Sequence, residues 1–235
     1  MSNDLKVVLI CGDIHGDFDV IPDYIKKHEL SNVIVLQCGD FGIGFANKYK
    51  EIKRLEYLSK RLDCYNSKLF VLRGNHDDPS YFTSGEYNIT DNVVLLKDYQ
   101  VFNINGFNYL PIGGGISIDR TNRWKWKSGY WKDEIINYSF IVEELTDINV
   151  VLSHSAPSFV SPLLKDNINY WIARDENLNN DLNLERNTLT KIYENLVKNN
   201  NISHWYYGHF HFSNIEYYNK TKFHLLNINE IIEHK

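Results

Sequence analysis

The amino-acid sequence predicts an α/β fold built around a parallel β-sheet. Three continuous apolar runs, at residues 6–11, 32–38 and 68–72, are separated by two stretches with helical periodicity. Continuous apolar runs are typical of strands covered on both faces, and strand–helix–strand alternation is typical of parallel βαβ units. We therefore expect these three strands to lie side by side in one sheet, with the two helices packed against it.

The two helices are expected at residues 18–29 and 47–62. The first carries Pro22 near its first turn, where a proline is tolerated. The second has one apolar face, formed by Ile52, Leu55, Leu58 and Leu62. A single apolar stripe is typical of a helix that packs on a sheet and leaves its other side in water.

The second half of the chain predicts shorter elements. Residues 93–110 are expected to form short strands joined by turns at Lys97-Asp98 and Asn105-Gly106, and the second pair is a hairpin signal. Residues 113–132 have no clear period and are expected to form a long ordered loop. Helices are expected at residues 133–147 and 185–198, and strands at residues 149–152, 203–207, 215–218 and 223–227.

Length and composition indicate one globular domain spanning residues 1–235, because no repeat or break in composition divides the chain. The formal net charge of −5 argues against a dominant electrostatic attraction to nucleic acid or to an anionic membrane. No run approaches the ~18 apolar residues of a membrane span. The first residues do not resemble a signal peptide, so a cytoplasmic location is expected.

Most of the informative Asp, Asn and His residues lie in five short segments, each of which follows a predicted strand. The segments are Gly12-Asp13-Ile14-His15-Gly16, Gly39-Asp40, Gly74-Asn75-His76-Asp77, Ser153-His154 and Gly208-His209-Phe210-His211. Ligand sites of open α/β sheets form outside the carboxyl ends of the strands, so the segments would meet there if the strands share a sheet. Imidazole, carboxylate and amide donors without thiolate suit Mn, Fe, Zn, Ni or Co.

In this order the five segments resemble the signature of calcineurin-like metallophosphoesterases, and in particular their small phage and bacterial members. The resemblance extends from Gly12 to His211. It implies a four-layer α/β/β/α sandwich of two mixed sheets, with metal ions at one edge. It also implies a metal-dependent phosphoesterase that attacks phosphate esters in line with a metal-bridging hydroxide and forms no covalent enzyme intermediate.

The resemblance further implies a role for each residue. A first metal ion would be held by Asp13, His15 and His211, a second by Asn75, His154 and His209, and Asp40 would bridge both. His76 would bind no metal; it would contact the phosphate and protonate the leaving oxygen as a general acid. The expected cofactors are two divalent ions, with Mn as the first choice and Fe, Zn, Ni or Co as alternatives.

The second segment departs from the pattern of phosphoprotein phosphatases, which continues Gly-Asp-x-x-Asp-Arg-Gly. In this chain Ile43 stands where the second acid would orient the catalytic histidine, and Gly44 stands where an arginine would bind phosphate. The departure weakens the alternative of a serine/threonine phosphoprotein phosphatase. It also leaves the orienting partner of His76 open, with Asp77 and Asp78 as candidates.

Three arginines are candidates for substrate binding. Arg73 matches an arginine of the phosphoprotein phosphatases, and either a phosphate contact or a structural salt bridge would explain it. Arg120 and Arg123 lie in a loop similar to one in small phage and bacterial members. That loop also contains Trp124, Trp126, Tyr130 and Trp131. These side chains form either a substrate wall that stacks a base and grips a phosphate, or a plug at the edge of the domain.

The expected substrate is a phosphomonoester, or a small nucleotide or phosphodiester. A non-catalytic metal-binding scaffold of the same fold is the alternative from another functional class, and its mark would be the loss of the histidine at position 76. The histidines outside the five segments are interpreted as surface or ordinary polar residues; they are His28, His204, His224 and His234.

Overall fold

The protein consists of two β-sheets with flanking helices. The computed structural model describes residues 6–85, 89–126, 129–162 and 167–235. The strands are β1 (Val7–Cys11), β2 (Val33–Gln37), β3 (Lys68–Val71), β4 (Val93–Leu95), β5 (Phe102–Ile104), β6 (Phe107–Ile112), β7 (Val150–Ser153), β8 (His204–Tyr207), β9 (Asn214–Tyr218), β10 (Thr221–Leu225) and β11 (Ile231–Glu233). The helices are α1 (Val20–Lys27), α2 (Lys48–Asp63), α3 (Pro79–Thr83), α4 (Arg120–Trp126), α5 (Ile168–Ile172) and α6 (Leu178–Asn199).

The first sheet has the strand order β11-β1-β2-β3-β4. Strands β1 to β4 run parallel, and β11 pairs antiparallel with β1. In the centre of the sheet Val35 is in register with Leu9 on one side and Leu69 on the other. The carboxyl ends of β1, β2 and β3 therefore reach the same edge of the sheet.

The second sheet has the strand order β5-β6-β7-β8-β10-β9. Its four inner strands run parallel, and the outer strands β5 and β9 pair antiparallel with their neighbours. Both sheets are therefore mixed. The carboxyl ends of β6, β7 and β8 lie together, as those of β1, β2 and β3 do in the first sheet.

The side chains of each strand alternate between two apolar layers. Val8 and Ile10 of β1 pack between the sheets, in a layer that also contains Leu152 and Tyr206 of the second sheet. The opposite face of the first sheet packs on α1 and α2, and the opposite face of the second sheet packs on α6. Because both faces of the central strands are buried, their apolar runs are continuous. The expected four-layer α/β/β/α sandwich is confirmed. Among the described residues, no helix is both long and apolar enough to cross a bilayer.

Two local predictions are wrong. The helix expected at residues 133–147 is reduced to a 3-10 turn at Phe140–Glu143, because Arg73 donates hydrogen bonds to the carbonyl oxygens of Glu134 and Ile135 and so diverts two backbone acceptors from a helix. The loop expected at residues 113–132 contains α4, and its residues 127 and 128 lie outside the described residues. Strand β11 has no counterpart in the sequence prediction.

Three histidines lie together where β8 and β10 approach the segment after β11. The ring centroid of His204 is 5.5 Å from that of His224 and 5.1 Å from that of His234. His224 is 6% exposed, so it is not a surface residue, and of the two interpretations only that of an ordinary polar residue remains. The pKa of both His224 and His234 is lowered to about 4, mainly by burial, and the neighbouring Lys222 contributes to the shift at His224.

We expect the free energy of unfolding to fall as the pH decreases from about 6.5 towards about 4. An unfolded histidine takes up its proton near pH 6.5, whereas the folded chain keeps His224 neutral to about pH 4, so the folded state binds fewer protons in this window. Urea unfolding at several pH values measures the effect. In His224→Phe, which preserves the stacking on Tyr206, the decrease should be smaller. An identical decrease in the variant and the parent would contradict this origin.

Candidate metal centre

The carboxyl ends of five parallel strands bring the predicted site residues to one edge of the sandwich. In the first sheet, β1, β2 and β3 lead into Asp13, Asp40 and Asn75. In the second sheet, β7 and β8 lead into His154 and His209. The side chains meet across the seam between the two sheets, where their ligand atoms form two adjacent groups.

The first group consists of Asp13, His15, Asp40 and His211, whose ligand atoms all lie within 4.8 Å of one another. The Nε2 atom of His211 is 3.2 Å from Oδ2 of Asp13 and 3.2 Å from Nε2 of His15. His15 and His211 are partly open to solvent, whereas Asp13 is fully buried. The donor atoms therefore converge on a point between a buried carboxylate and two accessible imidazoles.

The second group consists of Asp40, His154 and His209, also with ligand atoms within 4.8 Å of one another. The Nε2 atom of His154 is 3.1 Å from Oδ1 of Asp40, 3.1 Å from Nδ1 of His209 and 3.0 Å from Oδ1 of Asn75. The amide oxygen of Asn75 thus adds a fourth donor. Asp40 belongs to both groups.

Four of these residues have a backbone conformation that side chains other than glycine rarely adopt. The φ angles of His15, Asp40, His209 and His211 are 45°, 54°, 69° and 58°. Such left-handed residues cost conformational energy and cluster at functional sites, where the surrounding structure holds them. The backbone carbonyl of Asp40 provides part of that support, because it accepts hydrogen bonds from the amides of Ile14 and His15.

Two glycines allow the carboxylates to lie directly against the backbone. A Cβ atom at Gly208 would lie 2.0 Å from Oδ1 of Asp13, and one at Gly74 would lie 2.2 Å from Oδ1 of Asp40. No larger residue fits at either position without displacing a candidate ligand. Close contact with these carboxylates therefore explains why glycine occupies the first position of the Gly-Asn-His and Gly-His-x-His segments.

The electrostatic environment favours positive charge at the centre. Burial alone would lower the pKa of His154, yet the carboxylates of Asp40 and Asp13 raise it to about 9. Burial would likewise raise the pKa of Asp40, but His154 and His76 hold it well below its usual range. Carboxylate, imidazole and amide donors together suit borderline divalent cations. The residues present therefore fit a pair of divalent ions.

His76 lies beside the two groups, with Nε2 3.9 Å from Oδ2 of Asp40. Its side chain is 26% exposed, and the same Nε2 atom accepts a hydrogen bond from Nη2 of Arg123. Burial lowers the pKa of His76 to about 4; Asp40 opposes this shift and Arg123 adds to it. The side chain that donates this hydrogen bond to His76 therefore comes from α4.

The two aspartates considered as partners of His76 have other contacts. Asp77 is buried and accepts hydrogen bonds from the backbone amides of Phe41, Gly42 and Gly74. Asp78 caps α3 by accepting from the amide of Ser80. Asp77 thus fixes the loop that carries Asp40, and neither carboxylate orients His76.

Only one of the three candidate arginines faces the centre among the described residues. Arg73 donates to Asp98 and to the carbonyl oxygens of Glu134 and Ile135. Arg120 is paired with Asp175 and Asp181. Arg123 contacts His76 and forms an ion pair with Asp119, with Nε and Oδ1 2.8 Å apart. Arg73 and Arg120 therefore support the structure, and Arg123 lies at the site.

A cleft of about 610 Å³ opens over the second group and reaches Arg123. Its apolar wall includes Trp171, Phe210 and Phe212. By contrast, Trp124 and Trp126 are 58% and 73% exposed, so they plug no edge of the fold. This aromatic wall was not predicted from the sequence, although Phe210 and Phe212 flank His211 in the sequence. Trp171 is next to none of the five segments, so no feature of the sequence places it at the site.

Comparisons with known proteins agree with this geometry. The pattern of the calcineurin-like phosphoesterase family matches residues 6–213. A dimetal phosphatase from Danio rerio superposes with a TM-score of 0.54 at 13% identity, covering 96% of this chain and 88% of that chain. A phosphopantetheinyl hydrolase from Mycobacterium tuberculosis has a TM-score of 0.43 at 15% identity, covering 96% and 90%. No curated protein sequence matches the chain.

The likeness to the Danio rerio structure shows the fold, and the family match adds the chemistry. Residues 6–213 include every candidate ligand, and the two groups that share Asp40 indicate a dinuclear site for divalent ions. Taken together with the sandwich of two mixed sheets, the match shows that this chain is a metal-dependent phosphoesterase and belongs to the calcineurin-like phosphoesterase family.

Proposed function

We propose that the chain hydrolyses phosphate esters at a dinuclear centre in which Asp40 bridges two divalent ions. The observation that carries the proposal is the position of Asp40, whose carboxylate belongs to both groups of ligand atoms. The proposed ligands of the first ion are Asp13, His15 and His211, and those of the second are Asn75, His154 and His209. Mn is the proposed metal, with Fe, Zn, Ni or Co as alternatives, because oxygen and imidazole donors form both groups and no cysteine belongs to either.

Such a pair of ions would orient the phosphate and lower the pKa of a water molecule for in-line attack. His76 is the proposed general acid, since its imidazole lies at the mouth of the centre and lines the cleft. A negatively charged phosphate beside it would favour the protonated imidazole. Arg123 is placed to donate hydrogen bonds to the phosphate oxygens, and Asp119 holds its guanidinium in place.

The loop after Asp40 disfavours the phosphoprotein phosphatase alternative. Gly44 has a φ of 102°, and a Cβ atom there would lie 2.4 Å from Cβ of Asp78, so this backbone does not accommodate an arginine. Ile43 is fully buried. The cation that meets the phosphate comes instead from α4, as Arg123. The aromatic wall of Trp171, Phe210 and Phe212 supports a small ester with a flat leaving group, such as an aryl or nucleoside phosphate.

Metal dependence is the direct test of this function. With Mn²⁺ added, we expect hydrolysis of p-nitrophenyl phosphate, and its comparison with bis-p-nitrophenyl phosphate gives the preference for monoesters or diesters. Removal of divalent ions with a chelator should abolish both activities, and return of Mn²⁺ should restore them. Full activity of protein shown by elemental analysis to be free of metal would contradict the proposal.

Replacement of Trp171 by alanine tests the role of the aromatic wall. We expect kcat/KM for p-nitrophenyl phosphate to fall roughly 2- to 10-fold, the range of one aromatic contact, and kcat/KM for glycerol phosphate to stay unchanged. Trp126→Ala is the matched control, because this tryptophan is 73% exposed on α4. Equal losses for both substrates would show that Trp171 does not discriminate between leaving groups.

A further inference from the structure

The side chain of Asn75 has two ends that face different surroundings. It is 3% exposed. Its Oδ1 atom lies 3.0 Å from Nε2 of His154, and its Nδ2 atom donates a hydrogen bond to Oγ of Ser117 at 3.0 Å. The oxygen and nitrogen of an amide have nearly the same shape, but only the oxygen can bind a cation. The contact at the nitrogen end therefore decides whether the oxygen faces the centre.

Ser117 has one hydroxyl proton, and its neighbour Glu134 accepts it. The Oγ atom of Ser117 donates to Oε2 of Glu134 at 2.7 Å, and the amide of Ser117 donates to Oε1 at 2.8 Å. Because the hydroxyl of Ser117 donates its proton towards Glu134, its oxygen offers a lone pair to Nδ2 of Asn75. The two hydrogen bonds thus run in one direction, from Asn75 to Ser117 and from Ser117 to Glu134.

This chain of hydrogen bonds is buried and firmly supported. Ser117 and Glu134 are each 1% exposed. The carbonyl oxygen of Glu134 accepts from the amide of Gly115 and from Arg73, both at 3.0 Å. A Cβ atom at Gly114 would lie 2.5 Å from this carbonyl oxygen, so the glycine allows the close approach. The Gly113–Ser117 segment is therefore held between Glu134 and the centre.

We propose that Ser117 and Glu134 are positioning residues that hold the oxygen of Asn75 towards the group formed by Asp40, His154 and His209. The inference rests on the proposed function, in which Asn75 is a ligand of the second ion. Groups that orient a metal ligand contribute about 10- to 100-fold to metal affinity. Neither residue would touch the substrate, so both act through Asn75.

Calorimetric titration of the metal-free protein with Mn²⁺ tests the proposal on Ser117→Ala and Glu134→Gln. Ser117→Ala removes the oxygen that accepts the hydrogen bond from Nδ2 of Asn75. In Glu134→Gln the new amide group can donate a hydrogen bond to Oγ of Ser117, which would turn the hydroxyl proton of Ser117 away from residue 134. We expect each variant to lose about 10- to 100-fold in affinity at one of the two sites and to keep the other site. The double variant should lose no more than the larger single loss, because both changes break the same chain of contacts.

Ser59→Ala is the matched control, since Ser59 donates to Asn92 at 2.6 Å in a buried serine–asparagine pair between α2 and β4. It should bind both ions like the parent, and its melting temperature gives the effect of a buried serine loss alone. If Ser117→Ala binds two ions with the affinities of the parent, the positioning role is wrong. If Ser117→Ala does not fold, the same result in Glu134→Gln would overturn the role. A parent protein that binds one ion or none would instead overturn the dinuclear function.

Discussion

Replacement of Asp40 by asparagine is expected to lower the bound metal below two ions per chain and to abolish most of the activity. Its carboxylate is 1% exposed and serves both groups of ligand atoms, whereas asparagine offers one neutral oxygen. Two ions held in this way would supply several kcal/mol of transition-state stabilisation, so turnover should fall on the order of 10³-fold. Elemental analysis after loading with Mn²⁺, together with turnover of p-nitrophenyl phosphate, measures both effects.

Glu51→Gln is the control for this substitution. Glu51 is also a buried carboxylate, but it accepts hydrogen bonds from the backbone amides of Gly44 and Ala46 and belongs to neither group. We expect this variant to retain two ions, even where its stability is reduced. Two tightly held ions in Asp40→Asn would refute the bridging role.

Replacement of His76 by glutamine is expected to lower turnover by ~10²-fold or more, which is a typical contribution of a general acid. The metal content should stay at two ions per chain, because the contact that reaches Asp40 at 2.7 Å comes from the backbone amide of residue 76 and survives the substitution. Steady-state kinetics at saturating Mn²⁺ and elemental analysis of the same sample separate chemistry from metal binding.

His28→Gln provides a comparison outside the site, since His28 is an exposed residue at the end of α1. It should leave turnover unchanged. Unchanged turnover in His76→Gln would exclude the acid role, and loss of an ion in that variant would show that His76 is a ligand.

The α/β class and the parallel strands of the first sheet could be predicted from the sequence for one physical reason, whereas the two-sheet sandwich was implied by the family resemblance. Strands such as β2 are buried on both faces, which makes their apolar runs continuous, and parallel strands deliver their carboxyl ends to one edge. Asp13, Asp40 and Asn75 could therefore be assigned to one edge of the first sheet, whereas the place of His154, which follows a strand of the second sheet, was implied only by the family resemblance of the motifs.

The surroundings of His76 could not be predicted, because they depend on contacts between distant segments. Arg123 reaches His76 only because residues 120–126 form a helix over the cleft, in a stretch that has no sequence period. Likewise, the helical pattern at residues 133–147 gives no sign that Arg73 captures the carbonyl oxygens of Glu134 and Ile135. Tertiary hydrogen bonds override local propensity in both places.

The seam between the sheets has a consequence for assembly of the chain. Asp13, His15 and Asp40 follow strands of the first sheet, whereas their neighbour His211 follows a strand of the second sheet. In the other group of ligand atoms, Asp40 of the first sheet faces His154 and His209 of the second sheet. Neither half of the molecule carries a complete donor set. The two sheets must therefore pack together before cations bind tightly, and separation of the sheets would release the cations. Binding of the metal ions is thereby coupled to the stability of the whole sandwich.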